Sequence, residues 1–324
     1  MHSFALSTAD DPANAIAAHV QDPRLAFIAG ATDLIGLIKD RATLPERLLD
    51  INHLPDMARI EALPDGGLQI GSLAHMSDVA ADMEVRRRFP VIAEALLFAA
   101  SGQLGNMATI GGNIMQRTRC AYFRDEDDLP CNKRRPGSGC SALNGLNRNH
   151  AIFGWSDACV ATNPSDLAVA LAALDALVIV RGPRRQRSIQ FTEFHRLPGS
   201  ASERDNVLER GDLILAIEVP ARAEGRGSCY LKVRDRQSYE FALVSVAVAV
   251  AADDRRIRSA RPALGGIAHK PWRLTASVSA LRGASLDDSD ALKSAIAKSF
   301  ADAFKIELAQ RAAVRALQAA GARA

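Results

Sequence analysis

Long apolar runs, aromatic side chains and a large net charge are all scarce in this sequence. No run of 18 apolar residues occurs, which argues against a membrane-spanning helix. Aromatic residues make up 5% of the chain, so we expect a core of aliphatic side chains. A formal net charge of +3 is too small to indicate a nucleic-acid surface or an anionic membrane surface.

Signals for export and for several kinds of catalysis are also missing. The N-terminal segment has no basic region followed by an apolar one and no twin-arginine pair, so we expect no export signal. Both the cytoplasm, and the periplasm after export with a signal-bearing partner, are compatible with this. There is no Walker loop, no Gly-x-Gly-x-x-Gly, no Ser/His/Asp order and no motif for a molybdenum cofactor. We therefore predict no catalytic residue in this chain.

The 324 residues suffice for two domains. In the first third, short apolar runs alternate with helical patterns, which predicts an α/β arrangement. ARAEGRG at 221–227 breaks this pattern, and strands followed by helices come after it, as in a small α+β domain. We expect domains at 1–220 and 222–324. Strands are predicted at 25–29, 47–51, 68–71, 176–180, 212–220, 230–233, 243–252 and 262–267, and helices at 34–38, 83–100, 166–171 and, as a pair, 287–320.

Two glycine-containing segments could bind a phosphate. FIAGATDL at 27–34 predicts a strand, a turn at Gly30 and a helix, and backbone N–H groups in such a turn can approach an anion. LGNMATIGGN at 104–113 places paired glycines beside Thr109 and Asn113, which leaves its backbone open to a ligand. Taken alone, each segment is equally typical of an ordinary glycine turn.

Four of the five cysteines lie within 40 residues, in a segment from 107 to 163 that is poor in aliphatic residues. Intervals of 10, 8 and 18 residues separate Cys120, Cys131, Cys140 and Cys159. Four thiolates can hold zinc or an iron–sulfur cluster. Zinc sites normally contain a Cys-x(2–4)-Cys pair, which is absent, and wide spacing in a loop favours a [4Fe–4S] cluster that orders the loop. Zinc, two disulfides and unrelated thiols stay open as alternatives.

Several segments, in this order, resemble the FAD subunits of the xanthine dehydrogenase and carbon monoxide dehydrogenase family. They are AGATDL, IGSLAHMSDV, GNMATIGGN, NPSDLAVALAALDA, LKVRDRQSYEFALVSVAVAV and ALGGIAHKPWR, and they span about residues 27–273. The resemblance implies an α+β fold. It consists of a two-part α/β FAD-binding domain (PCMH-type, vanillyl-alcohol-oxidase-like) and a small α+β C-terminal domain with a three-stranded sheet and helices.

In this family the flavin pyrophosphate lies between the two glycine-turn segments. Carried over to this sequence, the resemblance implies a set of FAD-binding residues: Phe27, Ile28, Ala29, Gly30, Ala31, Thr32, Asp33, Leu34, Ala108, Thr109, Gly111, Gly112, Asn113, Ser165, Asp166, Ile214, Leu215 and Lys232. Ser165 and Asp166 would bond polar groups of the cofactor, although Asp166 could equally be a plain helix cap. Ile214 and Leu215 would lie against the adenine.

A second interpretation is open for Lys232, and Ala31 departs from the family's sequence pattern. Lys232 would lie near the flavin ring, with a solvated strand residue as the other interpretation. Ala31 stands where the family usually has a second glycine, and we expect a negative φ there, which an alanine tolerates.

The cysteines lie in an insert of some forty residues between the TIGGN and Ser-Asp segments, which are nearly adjacent in a typical flavin subunit. This insert resembles the one in the flavin subunits of bacterial periplasmic aldehyde oxidoreductases; a cysteine-bearing insert also occurs in 4-hydroxybenzoyl-CoA reductase. It implies a [4Fe–4S] cluster held by Cys120, Cys131, Cys140 and Cys159. We expect the basic run 133–135 to be solvated, His150 to be a hydrogen-bonded structural residue, and Cys229 to be a small buried one.

The resemblance implies a function in electron transfer. FAD and the [4Fe–4S] cluster would serve a heterotrimer with a large molybdenum-cofactor subunit and a small [2Fe–2S] subunit, and electrons would leave to an external acceptor. Hydroxylation takes place at molybdenum in the large subunit, which agrees with the missing catalytic motifs. The alternatives are a self-contained flavin reductase such as UDP-N-acetylenolpyruvoylglucosamine reductase, the flavin subunit of a xanthine or aromatic acyl-CoA hydroxylase, and a zinc-stabilised scaffold.

Overall fold

Three β-sheets organise the chain, and the computed structural model describes residues 2–127, 129–300 and 305–324. The first sheet contains β1 (Ala5–Thr8), β2 (Leu25–Ile28) and β3 (Arg47–Asp50). The second contains β4 (Ile60–Ala62), β5 (Leu68–Gly71), β6 (Leu177–Arg181), β7 (Gln186–Gln190) and β8 (Leu213–Val219). The third contains β9 (Ser228–Val233), β10 (Val244–Asp253), β11 (Arg256–Gly265) and β12 (Trp272–Arg273).

Helices connect and cover these sheets. They are α1 (Pro12–Gln21), α2 (Leu34–Lys39), α3 (Met76–Ala81), α4 (Met83–Arg88), α5 (Pro90–Ala99), α6 (Gly102–Gly105), α7 (Ile110–Met115), α8 (Ala121–Arg124), α9 (Asp166–Ala173), α10 (Phe191–Phe194), α11 (Thr275–Leu281), α12 (Ser289–Ala297) and α13 (Ile306–Gly321). None of the helices in the described part of the chain is both long and apolar enough to span a bilayer.

The first sheet is parallel, with the order β1-β3-β2, and the second is antiparallel, with the order β4-β5-β8-β6-β7. Strand β2 leads through the first glycine turn into α2, as its sequence predicts. The predicted helix at 83–100 is divided in two. Asp82 caps α4 through its bond from the Val85 amide at 2.9 Å, and Pro90 begins α5, because proline suits the first turn of a helix but not its interior.

Strand β10 explains how the third sheet is buried. Its sequence VSVAVAVAAD is apolar almost throughout, as expected of a strand covered on both faces. The valines at 244, 246, 248 and 250 face the cluster that contains α12 and α13, and the alanines at 247 and 249 face the cluster that contains α5 and α9. The third sheet therefore joins the two halves of the chain.

The C-terminal region agrees largely with its prediction. The three expected strands correspond to β9, β10 and β11, and the two-residue strand β12 adds a fourth at the edge. The predicted helix pair at 287–320 corresponds to α12 and α13, although residues 301–304 lie outside the described part of the chain. The cysteine-bearing insert has little regular structure. Between α8 and α9 its described residues form only isolated bridges, Cys131 with Cys140 and Ser156 with Cys159.

Candidate functional site

The two glycine-turn segments touch each other. A Cβ atom placed on Gly30 would lie 1.9 Å from the Met107 carbonyl oxygen, so only glycine permits this approach. The second segment is held in turn by β5 and the loop after it. Gly111 donates a backbone hydrogen bond to the Ser72 carbonyl at 2.7 Å, and Ile110 donates one to Ala74 at 3.0 Å.

Two neighbouring cavities open beside these turns. The first has a volume of about 260 Å³ and the second about 360 Å³, which together suit a dinucleotide-sized ligand. The predicted residues that line the first are Thr32, Asp33, Ala108, Gly112, Asn113 and Asp166. Ser165 and Asp166 line the second, and the loop residues 239–241 border both. The structure thus gathers the two turns and the Ser-Asp segment around two cavities that share part of their lining.

The other predicted residues lie behind this space rather than on its walls. Thr109 caps α7 by accepting the Gly112 amide at 3.2 Å. Ile214 is buried in the core of the second sheet, whereas Leu215 packs with Phe27 and Ala29 against the N-terminal core. The adjacent aliphatic pair therefore points to two different cores.

Our expectation for Ala31 was wrong. Its φ is +61°, in the left-handed region, where an L-residue with a Cβ is strained by about 1–2 kcal/mol. The alanine therefore keeps the backbone conformation that a second glycine would adopt freely.

Asp33 links the first glycine turn to the cysteine-bearing insert. It stands at the N-cap of α2, but its carboxylate makes no cap bond to that helix. It accepts instead from the Arg117 backbone amide at 2.9 Å and from the Arg124 guanidinium at 2.7 Å, and it forms an ion pair with Arg119 at 2.8 Å. Arg119 also stacks over Phe241, with 5.0 Å from its guanidinium carbon to the ring centre.

A buried ion pair lies at the wall of the cavities. Lys232 Nζ is 2.8 Å from Asp166 Oδ2, and the Lys232 side chain is only 1% exposed, so the solvated interpretation of this lysine was wrong. Tyr230 donates its hydroxyl to the other Asp166 oxygen. Burial raises the pKa of Asp166, although Lys232 opposes this shift. The cap of α9 is Ser165, which accepts the Ala168 amide at 3.0 Å, so Asp166 is free to make this pair.

The four cysteines of the insert line one small cavity. None of them, nor Cys229, forms a disulfide. The thiols leave about 10 Å³ of free space between them. No three or more His, Cys, Asp or Glu side chains converge to hold a single metal ion within the described residues.

Nearby backbone N–H groups favour the thiolate form of three of these cysteines. Those of residues 122 and 123 act to lower the pKa of Cys120, those of 142, 143 and 160 that of Cys140, and that of 161 the pKa of Cys159. Burial nevertheless raises the pKa of Cys120 to about 11. Cys140 and Cys159 share a hydrogen bond, which lowers the pKa of Cys140 to about 6 and raises that of Cys159. Such donors stabilise thiolate and would stabilise a metal-bound sulfur equally.

The basic run beside Cys131 is not a solvated face as a whole. Lys133 is buried, and its Nζ lies 2.5 Å from Asp205 Oδ1 and 2.7 Å from the Ser202 carbonyl oxygen. Arg134 is half-buried and bonds the carbonyls of residues 40 and 41 at 3.1 Å, and only Arg135 is exposed. The expectation failed for Lys133 because its partners come from a segment some seventy residues away. Cys229 is buried, as expected.

Two family models match the sequence. The FAD-binding domain in molybdopterin dehydrogenase matches residues 2–222, and the CO dehydrogenase flavoprotein C-terminal domain matches residues 229–318. The chain belongs to the FAD-binding subunits of the molybdenum hydroxylase family. It is therefore an FAD-binding oxidoreductase subunit, and its predicted fold, a PCMH-type FAD domain followed by a CO-dehydrogenase-type C-terminal domain, is confirmed.

Relatives within this family give the degree of similarity. The aldehyde oxidoreductase FAD-binding subunit PaoB of Escherichia coli is 44% identical, with 100% of both chains covered. The glyceraldehyde dehydrogenase medium chain of Sulfolobus acidocaldarius is 26% identical over 76% of this chain and 69% of the relative. A chain of the reconstituted CO dehydrogenase from Oligotropha carboxidovorans superposes with a TM-score of 0.77 at 21% identity, covering 99% of this chain and 98% of that one, which shows the shared fold.

Sequence reasoning missed two parts of this flavin subunit's site. Tyr230 lies two residues before Lys232 on β9, so strand alternation places both on one face and could have identified it. The arginines around Cys120 gave no such signal, because their partner Asp33 is more than eighty residues away in the sequence.

Proposed function

We propose that this chain is the FAD- and [4Fe–4S]-binding electron-transfer subunit of a heterotrimeric molybdenum-dependent aldehyde oxidoreductase. The full-length similarity to the aldehyde oxidoreductase subunit PaoB supports the substrate class. The partners are a large molybdenum-cofactor subunit and a small [2Fe–2S] subunit, which agrees with relatives named as medium chains and as FAD-binding subunits. Electrons come from those partners and leave to an external acceptor.

The FAD site lies in the two neighbouring cavities. The segments 28–34 and 108–113 form the pyrophosphate site: Thr32, Asp33, Ala108, Gly112 and Asn113 line the space, and the other residues of the two turns support it from behind. Ser165 and Asp166 bond the cofactor's polar groups, and Lys232 balances the charge that Asp166 brings to the cavity wall. The bound flavin supplies the redox chemistry, and the chain binds, orients and electrostatically tunes it. The FAD-binding domain extends over 1–220 and the C-terminal domain over 222–324.

The cluster proposal rests mainly on one observation. Four cysteines spread over 40 residues line the same cavity, and nearby backbone N–H groups favour the thiolate form of three of them. The four thiolates of a cubane bind four different irons, so they surround a volume and need not converge on one point as ligands of a single ion do. Cluster binding would widen the small cavity, as metal binding and local folding are commonly coupled.

Two buried cysteines allow a matched test in the native complex. Cys131→Ser should remove about four irons and as many acid-labile sulfides per complex, reduce the iron–sulfur absorption to the part that the [2Fe–2S] subunit supplies, and expose residues 117–160 to proteases. Cys229→Ser, at an equally buried position in the third sheet, should keep wild-type iron. Equal iron in both variants would refute the ligand set, and zinc in place of iron would support the scaffold alternative.

The partner assignment has its own test. A tag on this chain should co-purify a molybdenum-containing subunit and a small [2Fe–2S] subunit. A chain that purifies alone and reduces or oxidises a substrate by itself would instead be a self-contained flavin enzyme.

A further inference from the structure

One side chain outside the cysteine set touches a cysteine sulfur. His150 Nε2 lies 3.2 Å from Cys120 Sγ, and the pair is partly buried. The contact is long-range in the sequence, because His150 follows Cys120 by 30 residues and comes from the other end of the insert. It therefore forms only when the insert is folded.

The surroundings hold the histidine in place. Its backbone amide donates to the Asn147 carbonyl at 2.9 Å, and its carbonyl accepts from Lys305 Nζ at 3.2 Å. Lys305 is itself buried and also bonds the Gly266 carbonyl at 3.1 Å. The Tyr122 ring lies against the imidazole, with 6.4 Å between ring centres. Contacts from the insert and from the C-terminal domain thus fix the backbone of His150, and Tyr122 lies beside its imidazole.

The chemistry of an iron-bound thiolate decides which atom of the contact donates the hydrogen. An iron-bound thiolate has no proton and can only accept, so the shared hydrogen must come from Nε2. The other ring nitrogen, Nδ1, is buried and has no partner among the described residues, which suits an unprotonated nitrogen better than an N–H group. The neutral ring with its hydrogen on Nε2 therefore agrees with both observations, because Nε2 donates to the sulfur and Nδ1 carries no hydrogen.

The His150–Cys120 pair lies beside the proposed flavin site. Of the four cysteines, Cys120 also lines the second flavin cavity, together with His150, Ser165 and Asp166. The hydrogen bond thus lies in the wall between the cysteine cavity and the space assigned to FAD. The hydrogen bond comes from a side chain, so a substitution of His150 can remove it without changing the backbone around the sulfurs.

We propose that His150 is a positioning residue that donates a hydrogen bond to the iron-bound thiolate of Cys120 and raises the cluster's reduction potential. This inference rests on the cluster of the proposed function. Reduction adds negative charge to the cluster and its sulfurs. A hydrogen bond to a ligand sulfur stabilises that charge, which favours the reduced form. His150 therefore raises the reduction potential from the side of the cluster that faces the proposed flavin site.

Three variants of the native complex test this inference by redox titration followed with electron paramagnetic resonance. His150→Leu removes the donor, His150→Gln keeps an N–H donor, and Tyr122→Phe removes a neighbouring hydroxyl that accepts the Leu146 amide but touches no sulfur. We expect His150→Leu to disfavour reduction roughly tenfold, which is about 59 mV for a one-electron couple. The Gln variant should recover most of that shift, and Tyr122→Phe should match the wild type.

Each outcome decides between the two proposals. Wild-type complex that lacks this cluster's iron would overturn the proposed function, whereas an iron-replete His150→Leu complex with the wild-type potential would overturn the role of His150 alone. If His150→Leu loses its iron, the wild-type complex labelled with ¹⁵N-histidine decides. Its reduced cluster should show hyperfine coupling to a histidine nitrogen and to an exchangeable proton, and the lack of both would also overturn the inference.

Discussion

At the scale of single residues, the close approach at Gly30 is the most demanding contact of the proposed flavin site. We predict that Gly30→Ala separates the two turns, because its Cβ would meet the Met107 carbonyl oxygen at 1.9 Å and backbone atoms must then move. The expected loss is about 3 kcal/mol of folding free energy, together with most of the bound flavin. Flavin content and urea unfolding measure these two effects.

Two neighbouring substitutions serve as controls. Gly102→Ala adds a Cβ where nothing lies within 4 Å, and Ala31→Gly relieves the positive φ, so both should keep their flavin. Flavin loss in these controls to the same extent as in Gly30→Ala would show that close packing at Gly30 is not what the site requires.

His195 gives a pH dependence of stability. It is fully buried, its Nε2 bonds the Ile114 carbonyl at 2.9 Å, and burial lowers its pKa from 6.5 to about 4. Below pH 6.5 the unfolded chain takes up a proton at this position that the folded chain does not. The contribution of His195 to the free energy of unfolding is therefore complete above pH 6.5. It falls by about 3 kcal/mol in all as the pH drops towards 4.

His195→Gln should flatten this dependence, since glutamine does not titrate, while the exposed His53→Gln should leave it unchanged. Urea unfolding at several pH values between 7 and 4 gives the comparison. A slope in His195→Gln as steep as in the wild type would refute the account.

At the scale of elements, buried charges anchor the insert. Asp205 accepts from Lys133 Nζ at 2.5 Å and from Arg117 Nε at 2.6 Å. Burial alone would raise the pKa of Asp205, but these two cations hold it below its usual value. We predict that Asp205→Asn costs about 3 kcal/mol or more, because Lys133 stays buried without its counter-charge.

Asp235→Asn is the matched control for this substitution. Asp235 also pairs with a cation of the insert, Arg148, but both side chains are exposed, so stability should not change. Hydrogen exchange should rise across residues 117–160 in Asp205→Asn only. Equal exchange in both variants would mean that the buried pair does not anchor the insert.

The elements show where sequence patterns suffice and where they do not. Strand β10 and helix α9 follow from continuous apolar runs, and the break at Pro90 follows from proline chemistry. The insert has no period to guide prediction, and its order depends on contacts with distant segments. Phe153, for instance, stacks on Trp272 with ring centres 5.2 Å apart. The burial of Lys133 was missed for the same reason, whereas the positive φ of Ala31 was missed because an alanine usually indicates a negative φ.

At the scale of the whole molecule, the order of short segments predicted more than any one of them. The family and its fold follow from the resemblance of six segments in their order along the chain, and in the structure each of these segments contributes residues to the two cavities. Neither glycine turn alone separates a cofactor site from an ordinary turn. The contact between Gly30 and the Met107 carbonyl, between residues 77 positions apart, becomes visible only in three dimensions.

The central claim is that this one chain holds both FAD and a [4Fe–4S] cluster. The most direct measurement is the content of flavin, iron, acid-labile sulfide and zinc in this chain. The chain is purified under exclusion of oxygen and separated from its partner subunits, so that their iron is not counted. We predict one FAD and about four irons with as many sulfides per chain, as the cluster's composition requires. Flavin without iron, or zinc in place of iron, would contradict the claim.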